Sequence, residues 1–354
     1  MIDPKNLRKT TAAHLRAQEE AFSSVAYCAT LGCRSKDFSW CHTLTEATQL
    51  REISEGIKNA RNVAWIPLRE GERWKSVRWW SEISTTKALV FRGFCANCDS
   101  QIFKRIDESL VHDQEIYALL AYRASSYAKW RSEVDYKANK ILTPKLAERE
   151  DGTDASPAIQ SPNPKSQEPP ISEMLTRQKL LTTQYQKALE RIIAEKQFER
   201  LNTVTIEFNE KVPFRFTMVG SFTTDIRMIP VEILRSDCAA TPMYAMSILD
   251  FGNKSTLVIS SHVSVPRKYL TQFMTEILKL SCSGHLTDVL LRFMINNNQG
   301  FAARPSFMNS MDHEAISYYF GSVSGKYYFG LNESVTRICF PPYLNEWTLK
   351  RISE

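Results

Sequence analysis

The chain has 354 residues, of which 43% are hydrophobic and 24% are charged, and its net charge is +6 at pH 7. This composition is typical of a globular protein and excludes a wholly disordered chain, and the modest positive charge permits a polyanionic partner without requiring one. Because one hydrophobic core stops growing below this length, we expect more than one domain.

No targeting or membrane-spanning segment is visible in the sequence. Residues 1–9 contain no apolar core of signal-peptide length, and no run of about 18 apolar residues occurs. We therefore predict a cytoplasmic protein without membrane partners. Thiols in a reducing cytoplasm stay free or bind metal, which argues against disulfides.

Four cysteines in the N-terminal part form two close pairs. They are Cys28, Cys33, Cys95 and Cys98. Each pair can occupy one edge of a tetrahedron, and four thiolates at about 2.3 Å suit Zn²⁺. The alternative is that these cysteines are buried free thiols. The scattered Cys238, Cys282 and Cys339 are expected to be core residues.

The sequence around the two pairs favours a zinc site. Gly32 and Gly93 stand beside the first and second pair, where a glycine allows a tight backbone turn. After Cys98, apolar residues at positions 102, 103 and 106 have helical spacing. A first pair in a hairpin and a second pair opening a helix is the treble-clef arrangement.

The middle of the chain predicts two long amphipathic helices. Apolar residues recur at helical spacing over 112–140 and again over 171–200. Residues 148–170 contain five prolines and almost no apolar side chains, so we predict a disordered linker there. The two helices are expected to pack antiparallel as a hairpin.

Past residue 200 the pattern changes to the alternation of β-strands. The predicted strands are 203–208, 214–219, 244–251 and 255–260, and the predicted helices that follow are 269–280 and 285–296. The first two strands are expected to be half-buried, and Gly252-Asn253-Lys254 predicts a hairpin connection between the last two. These elements predict an antiparallel sheet with packed helices, an α+β fold.

These patterns divide the chain into three parts. We predict a zinc-binding treble-clef-like module over 1–110, a helical hairpin over 111–200 and an α+β domain over 201–354. The last part contains no phosphate-binding glycine loop, no Gly-x-Ser-x-Gly motif and no His-Glu-x-x-His motif. An enzyme centred there therefore has no motif to support it.

The order of residues in the N-terminal module resembles that of zinc-bearing nucleases of the His-Asn-His family. A cysteine pair is followed by His42 and then by Cys-x2-Cys leading into a helix. The resemblance implies that His42 is the general base and that Asp99 helps to hold a catalytic Mg²⁺, while zinc only holds the fold. The chain departs from the family in having Cys41 where an acidic residue is usual beside the first histidine, and Asp99 where a further histidine usually follows the second cysteine pair. The insertion before Cys95 is also longer than in the family.

The sequence also resembles a set of uncharacterised bacterial proteins. The shared motifs are Cys28-x4-Cys33, His42-Thr43-Leu44, Phe91-Arg92-Gly93-Phe94-Cys95-x2-Cys98-Asp99-x3-Phe103 and Leu120-Ala121-Tyr122-Arg123-Ala124. A histidine stands in that family where this chain has Cys98, and both residues are zinc ligands, so the resemblance implies metal binding at this position.

A segment of mixed aromatic and basic residues lies inside the insertion. Arg69, Arg73, Lys75 and Arg78 alternate with tryptophans between Trp65 and Trp80. This mixture can stack on bases while it contacts phosphates, which predicts binding of DNA or RNA. The alternative is that the tryptophans form the core of a small zinc domain.

Two hypotheses for the function follow. The first is a zinc-stabilised, nucleic-acid-directed protein with a nuclease-like module, by analogy in bacterial antiviral defence. The second is a non-catalytic interaction or sensor protein in which zinc is purely structural and the α+β domain binds a protein partner or a second copy. The missing second histidine and the missing acidic neighbour of His42 favour the second hypothesis.

Overall fold

The structure is a computed structural model. It describes residues 13, 16–56, 62–65, 81–108, 110–147, 171–223, 242–282, 286, 290, 293, 300–310 and 349–353. The predicted linker 148–170 and the basic segment between Trp65 and Trp80 lie outside these residues, so both stay predictions.

The N-terminal elements follow a helical segment over 16–24. They are β1 (Phe38–His42), a π-helical turn (Glu46–Leu50), β2 (Asn62–Trp65), β3 (Ser81–Ser84), β4 (Val90–Cys95) and α1 (Ala96–Glu108). Strands β1 and β4 form a separate two-stranded antiparallel sheet, in which Phe38 lies opposite Cys95 and His42 opposite Val90. Because α1 begins directly after Cys95, the module has the predicted order of strand pair and helix.

Two long helices follow, α2 (Gln114–Ala147) and α3 (Ile171–Glu195). Ser132 on α2 bonds Thr182 on α3, while Lys179 on α3 lies over the ring of Tyr136 on α2. Residues further along α2 thus meet residues earlier in α3, so the two helices are antiparallel. The predicted helical hairpin is confirmed.

The remaining elements belong to the C-terminal half. They are β5 (Leu201–Phe208), β6 (Phe214–Ser221), β7 (Met243–Phe251), β8 (Lys254–His262), α4 (Arg267–Cys282), β9 (Phe301–Ala303), α5 (Pro305–Ser310) and β10 (Leu349–Ser353). Gly252 in the β7–β8 connection has φ +66°, a left-handed conformation that favours glycine. The predicted hairpin is confirmed, with Phe251 opposite Lys254.

The large sheet contains strands from both ends of the described chain. Its order is β10-β5-β8-β7-β6-β9-β2-β3, and each neighbouring pair is antiparallel. Strands β2 and β3 come from the N-terminal part and join through β9, where Trp65 lies opposite Ala302. The α+β fold class is confirmed, and the large sheet is shared between the N-terminal and C-terminal parts of the sequence.

Both faces of the central strands are covered, which differs from the expectation of half-buried strands. All nine residues of β7 are buried, as are the first six of β6. One face packs against α4 and the buried helical residues Leu286, Leu290 and Phe293. The helical hairpin packs on the other face, so residues that the alternation assigned to solvent are buried as well.

A buried polar contact ties the N-terminal part to the sheet. The Gln49 side-chain amide donates to the Asp250 carbonyl at 3.1 Å and accepts from the Asp250 N–H at 2.8 Å. The Asp250 carboxylate in turn pairs with Arg215, which is almost completely buried. These contacts join the first and the last of the three predicted domains. The division of the chain into three domains stays a prediction.

The position of Cys282 differs from the expected one. The sequence analysis assigned this residue to the core, but it ends α4 and is exposed, so that prediction is wrong. It sits at the helix terminus, beyond the last buried turn.

None of the helices in the part of the chain described by the structure is long and apolar enough to cross a membrane.

Candidate metal centre

The four predicted zinc ligands converge. All their sulfur atoms lie within 4.8 Å of one another, although the two pairs are more than sixty residues apart in sequence. The Cys95 Sγ is 3.9 Å from Cys28 Sγ and 3.8 Å from Cys33 Sγ. We call these four residues the cysteine cluster.

The spacing of the sulfur atoms matches a metal site. Four sulfurs at about 2.3 Å from one ion form a tetrahedron with edges of about 3.8 Å. A disulfide would require about 2.05 Å between two sulfurs. The distances of 3.8 and 3.9 Å from Cys95 to its neighbours agree with the first geometry and exclude the second. The cysteine cluster can therefore hold one tetrahedral metal ion such as zinc.

The first ligand pair lies in a loop that is tied to β4. The N–H of Ala29 donates to the Gly93 carbonyl at 2.8 Å. A turn then closes the loop, in which the Cys33 N–H donates to the Thr30 carbonyl at 3.1 Å and Gly32 has φ +74°. The predicted turn at Gly32 is confirmed, because this conformation strongly favours glycine.

Gly93 has a different role from the predicted one. It lies within β4, and its backbone is not in the left-handed region. A Cβ atom at this position would come within 2.3 Å of the Phe91 ring. Gly93 therefore allows a close side-chain approach under the metal site, and the prediction of a turn here is wrong.

The helical hairpin supports the first ligand loop from below. The Tyr122 hydroxyl donates to the Ala29 carbonyl at 3.1 Å, and the Trp130 indole N–H donates to the Val25 carbonyl at 2.8 Å. Phe94 packs edge-on against Phe103 at 5.0 Å between ring centroids. This aromatic layer gives the module a core that does not depend on the tryptophans of the insertion.

The local hydrogen bonds favour thiolate at one ligand in particular. The Cys98 backbone N–H donates to Cys95 Sγ at 3.4 Å, and this bond is the main reason why the pKa of Cys95 is lowered to about 7. Burial raises the pKa of the Cys98 thiol to about 12. In the absence of metal the cluster thus holds both thiolate and thiol, and a metal ion must displace the remaining protons.

His42 is the last residue of β1 and is half-buried. Its Nε2 lies 3.0 Å from the Thr85 carbonyl oxygen. A carbonyl only accepts, so Nε2 carries the proton and Nδ1 of the neutral ring is unprotonated. The orienting bond to the backbone is the kind of contact that a general base needs.

Asp99, the other proposed catalytic residue, follows Cys98 in the first turn of α1. Its Oδ1 lies 3.7 Å from a guanidinium nitrogen of Arg123, which is 3% exposed. Burial raises the pKa of the Asp99 carboxyl, while the charge of Arg123 and, more weakly, that of His42 oppose the shift. His42 and Asp99 are therefore neighbours, but the carboxylate already has a buried cationic partner.

Arg123 connects Asp99 to a second carboxylate. Its guanidinium donates to both oxygens of Asp107, at 2.7 and 3.1 Å. Asp107 also accepts from the Thr45 hydroxyl at 2.9 Å. Arg123 lies over the Phe103 ring at 4.2 Å, which fixes the plane of the guanidinium. The charged groups of α1 and α2 thus form one network beside the metal centre, in which the guanidinium is buried and the two carboxylates are partly exposed.

These residues do not fit a catalytic Mg²⁺. The positive guanidinium of Arg123 lies against both carboxylates that a divalent ion would need. Over the described residues, the cysteine cluster is the one group that brings three or more metal-binding side chains together. We therefore derive no chemical step through a magnesium ion.

The basic residues predicted to bind nucleic acid cannot be placed. Arg69, Arg73, Lys75 and Arg78 lie outside the described residues. The sequence analysis gave no role to Arg123, although every other side chain between Leu119 and Tyr127 is uncharged. This pattern indicates a charge that needs a partner, but it does not show that the partners are Asp99 and Asp107.

No family model, no curated protein and no solved structure matches the chain. The likeness to His-Asn-His nucleases therefore rests on the order of the motif residues alone. The function has to be argued from the geometry of the metal centre and of the residues around it.

Proposed function

We propose that this protein is a zinc-stabilised binding protein, in which the ion has a structural role and the module has no hydrolytic activity. The four sulfurs provide a closed tetrahedral set, which leaves no ligand position for water or substrate. A zinc ion held in this way contributes to folding. The proposal corresponds to the second of the two hypotheses from the sequence.

The observation that carries the proposal is the position of Arg123. A guanidinium that pairs with Asp99 and bonds Asp107 at 2.7 Å takes the place that a catalytic cation would occupy. Because Arg123 is 3% exposed, it cannot move toward a substrate without uncovering a buried charge. The network therefore supports a structural role for Asp99.

The charges near His42 also argue against a phosphodiester substrate. Thr85, whose carbonyl bonds His42, donates its hydroxyl to the Glu46 carboxylate at 3.1 Å. Asp99 is close enough for its carboxylate to interact with His42. Both carboxylates already pair with an arginine, Glu46 with Arg51 at 3.6 Å and Asp99 with Arg123 at 3.7 Å. Neither is therefore free to hold the divalent ion that phosphodiester cleavage would need beside His42.

A nuclease is the second candidate, and one observation favours it. The bond from His42 Nε2 to the Thr85 carbonyl leaves an unprotonated Nδ1 on a half-buried ring next to the zinc module. In a nuclease, this nitrogen would take a proton from the attacking water. This candidate needs a cation that neutralises Asp99 in place of Arg123.

A cleavage assay separates the two candidates. We expect that purified protein with Mg²⁺ or Mn²⁺ cleaves single- and double-stranded DNA and RNA no faster than its His42→Ala variant. The matched control is His262→Ala, which removes a histidine from the end of β8 instead. Zinc content is measured in all three proteins. Cleavage that disappears in His42→Ala alone, with zinc retained, would overturn the proposal in favour of the nuclease.

A further inference from the structure

The end of the helical hairpin away from the sheet concentrates positive charge. The buried core includes Ala138 of α2, and Leu181 of α3 packs against it. We define the distal end of the hairpin as residues 136–147 and 171–180. In α2 this segment begins beside Ala138, and in α3 it ends just before Leu181. These 22 residues contain five basic side chains and one acidic one, a net charge of +4, whereas residues 148–170, which join the two segments, contain two basic and five acidic ones. The positive excess therefore belongs to the helix ends themselves.

Two lysines of the distal end meet at one aromatic ring. The ammonium of Lys140 is 4.7 Å from the ring centroid of Tyr136, and that of Lys179 is 4.8 Å from the same centroid. Lys140 belongs to α2 and Lys179 to α3, so the hairpin itself brings them together. The electron-rich face of a tyrosine ring attracts cations and holds both side chains in place.

These two lysines differ from other lysines and arginines on the hairpin. Lys129 and Arg131 each pair with a carboxylate four residues further along α2, at 3.2 and 3.0 Å. In the described part of the chain, neither Lys140 nor Lys179 has a carboxylate within ion-pair distance. Lys179 is also near enough to Lys129 to help lower its pKa, although burial is the main cause of that shift. Positive charge at this end is thus not neutralised within the described residues.

We propose that the distal end of the hairpin is a docking surface for the phosphate backbone of a nucleic acid. Lys140 and Lys179 would contact the phosphates. This inference names a partner for the binding protein proposed above. It rests on that proposed function only in assuming that the protein binds a partner. It involves neither the zinc centre nor the segment between Trp65 and Trp80.

The distal end suits the phosphate backbone of a nucleic acid better than it suits an anionic lipid surface. The Lys140 and Lys179 ammonium groups both lie within 4.8 Å of the Tyr136 ring centroid, so they are close enough to contact neighbouring phosphates of one strand. Binding to a lipid surface needs a continuous apolar face, and Met174 and Leu180 are separated by six positions, so they do not share one. Tyr136 is covered by the two ammonium groups, so we expect phosphate contacts without base recognition.

The test measures binding of a fluorescent 20-base-pair DNA duplex by the full chain without added divalent cations. The variant is Lys140→Gln with Lys179→Gln. The matched control is Lys104→Gln with Lys279→Gln, which removes the same charge from exposed lysines that pair with Glu108 and Glu276. Salt dependence is recorded from 50 to 200 mM, and binding to vesicles of anionic lipid is measured in parallel.

We expect the distal variant to bind the duplex about tenfold more weakly and the slope of log K against log salt to fall by about 1.8, which is the loss of two phosphate contacts. The control should retain most of the affinity. Equal losses in variant and control, or no binding by the unchanged protein at 50 mM salt, would overturn the inference. Stronger binding to vesicles than to the duplex would also overturn it. The cleavage assay at His42 is unaffected by these outcomes, so the two proposals can fail separately.

Discussion

The end of the molecule that carries the cysteine cluster, which we call the zinc end after its proposed ion, and the central sheet are built in different ways. At the zinc end, two loops more than sixty residues apart meet at four sulfur atoms, above a thin layer of aromatic rings. The sheet instead has apolar side chains packed on both faces, so that β7 is buried throughout. If the cysteine cluster holds its proposed ion, one end of the chain depends on a metal and the other on burial of apolar surface.

The largest expected effect comes from removal of the metal ligands. Replacement of Cys95→Ser together with Cys98→Ser should abolish zinc binding and unfold the zinc end, because structural zinc binding contributes on the order of 10 kcal/mol. Hydrogen exchange should accelerate in β4 and α1 and remain slow in β7 and β8. The exposed Cys282→Ser serves as the control and should change neither quantity. Unchanged protection of β4 in the double variant would contradict the comparison.

A second variant should weaken the sheet and leave the zinc end loaded. Asp250→Ala leaves the buried guanidinium of Arg215 without its carboxylate. Loss of one partner of a buried pair costs about 3–5 kcal/mol, which urea unfolding can measure. The control is Glu276→Ala, which breaks an ion pair whose lysine is 63% exposed and should cost under about 1 kcal/mol. Equal effects of the two variants would show that the Asp250 pair is not buried in solution.

The Arg123 network offers a sharper test, because it lies beside the metal centre without belonging to it. Arg123→Met should destabilise the protein by about 2 kcal/mol, since it removes the charge-assisted hydrogen bonds to Asp107, whose side chain is 37% exposed and can be solvated by water. Zinc content should stay at about one ion per chain, since the cysteine cluster is intact. Metal analysis together with urea unfolding checks both parts. Loss of zinc in this variant would contradict the prediction and show that Arg123 is needed to hold the cysteine cluster in place.

The smallest effect is expected at the contact between the two regions. Gln49→Ala removes both hydrogen bonds to the Asp250 backbone and should cost about 1–2 kcal/mol. Thermal unfolding is followed separately at the zinc end and at the sheet. The difference between the two transition temperatures should then be larger than in the unchanged protein. If the two regions still unfold together, β2 and β3 provide the coupling without Gln49.

Much of the fold could be predicted from the sequence, because local patterns determine it. The period of apolar residues predicted α2 and α3, and alternation predicted β5 to β8. The spacing of the cysteines predicted the cluster, since two close pairs suit one tetrahedron. These features depend on neighbouring residues within a segment or on the chemistry of one residue type.

The rest depends on contacts between distant segments, which local patterns do not contain. Nothing in the short strands β2 and β3 indicates that they extend a sheet formed mainly by residues after 200. Because the hairpin covers the second face of the sheet, β6, which was expected to be half-buried, is buried over its first six residues. The pairing of Asp99 with Arg123 joins two helices, so the position of Asp99 after the second cysteine pair could not show it.

The most direct test of the central claim is X-ray absorption at the zinc edge on the purified full chain. Four sulfur neighbours at about 2.3 Å, with no nitrogen or oxygen neighbour, is the result that a closed structural site predicts. A site with fewer sulfurs and a nitrogen or water ligand would contradict the account, because it would leave a position open for chemistry at the metal.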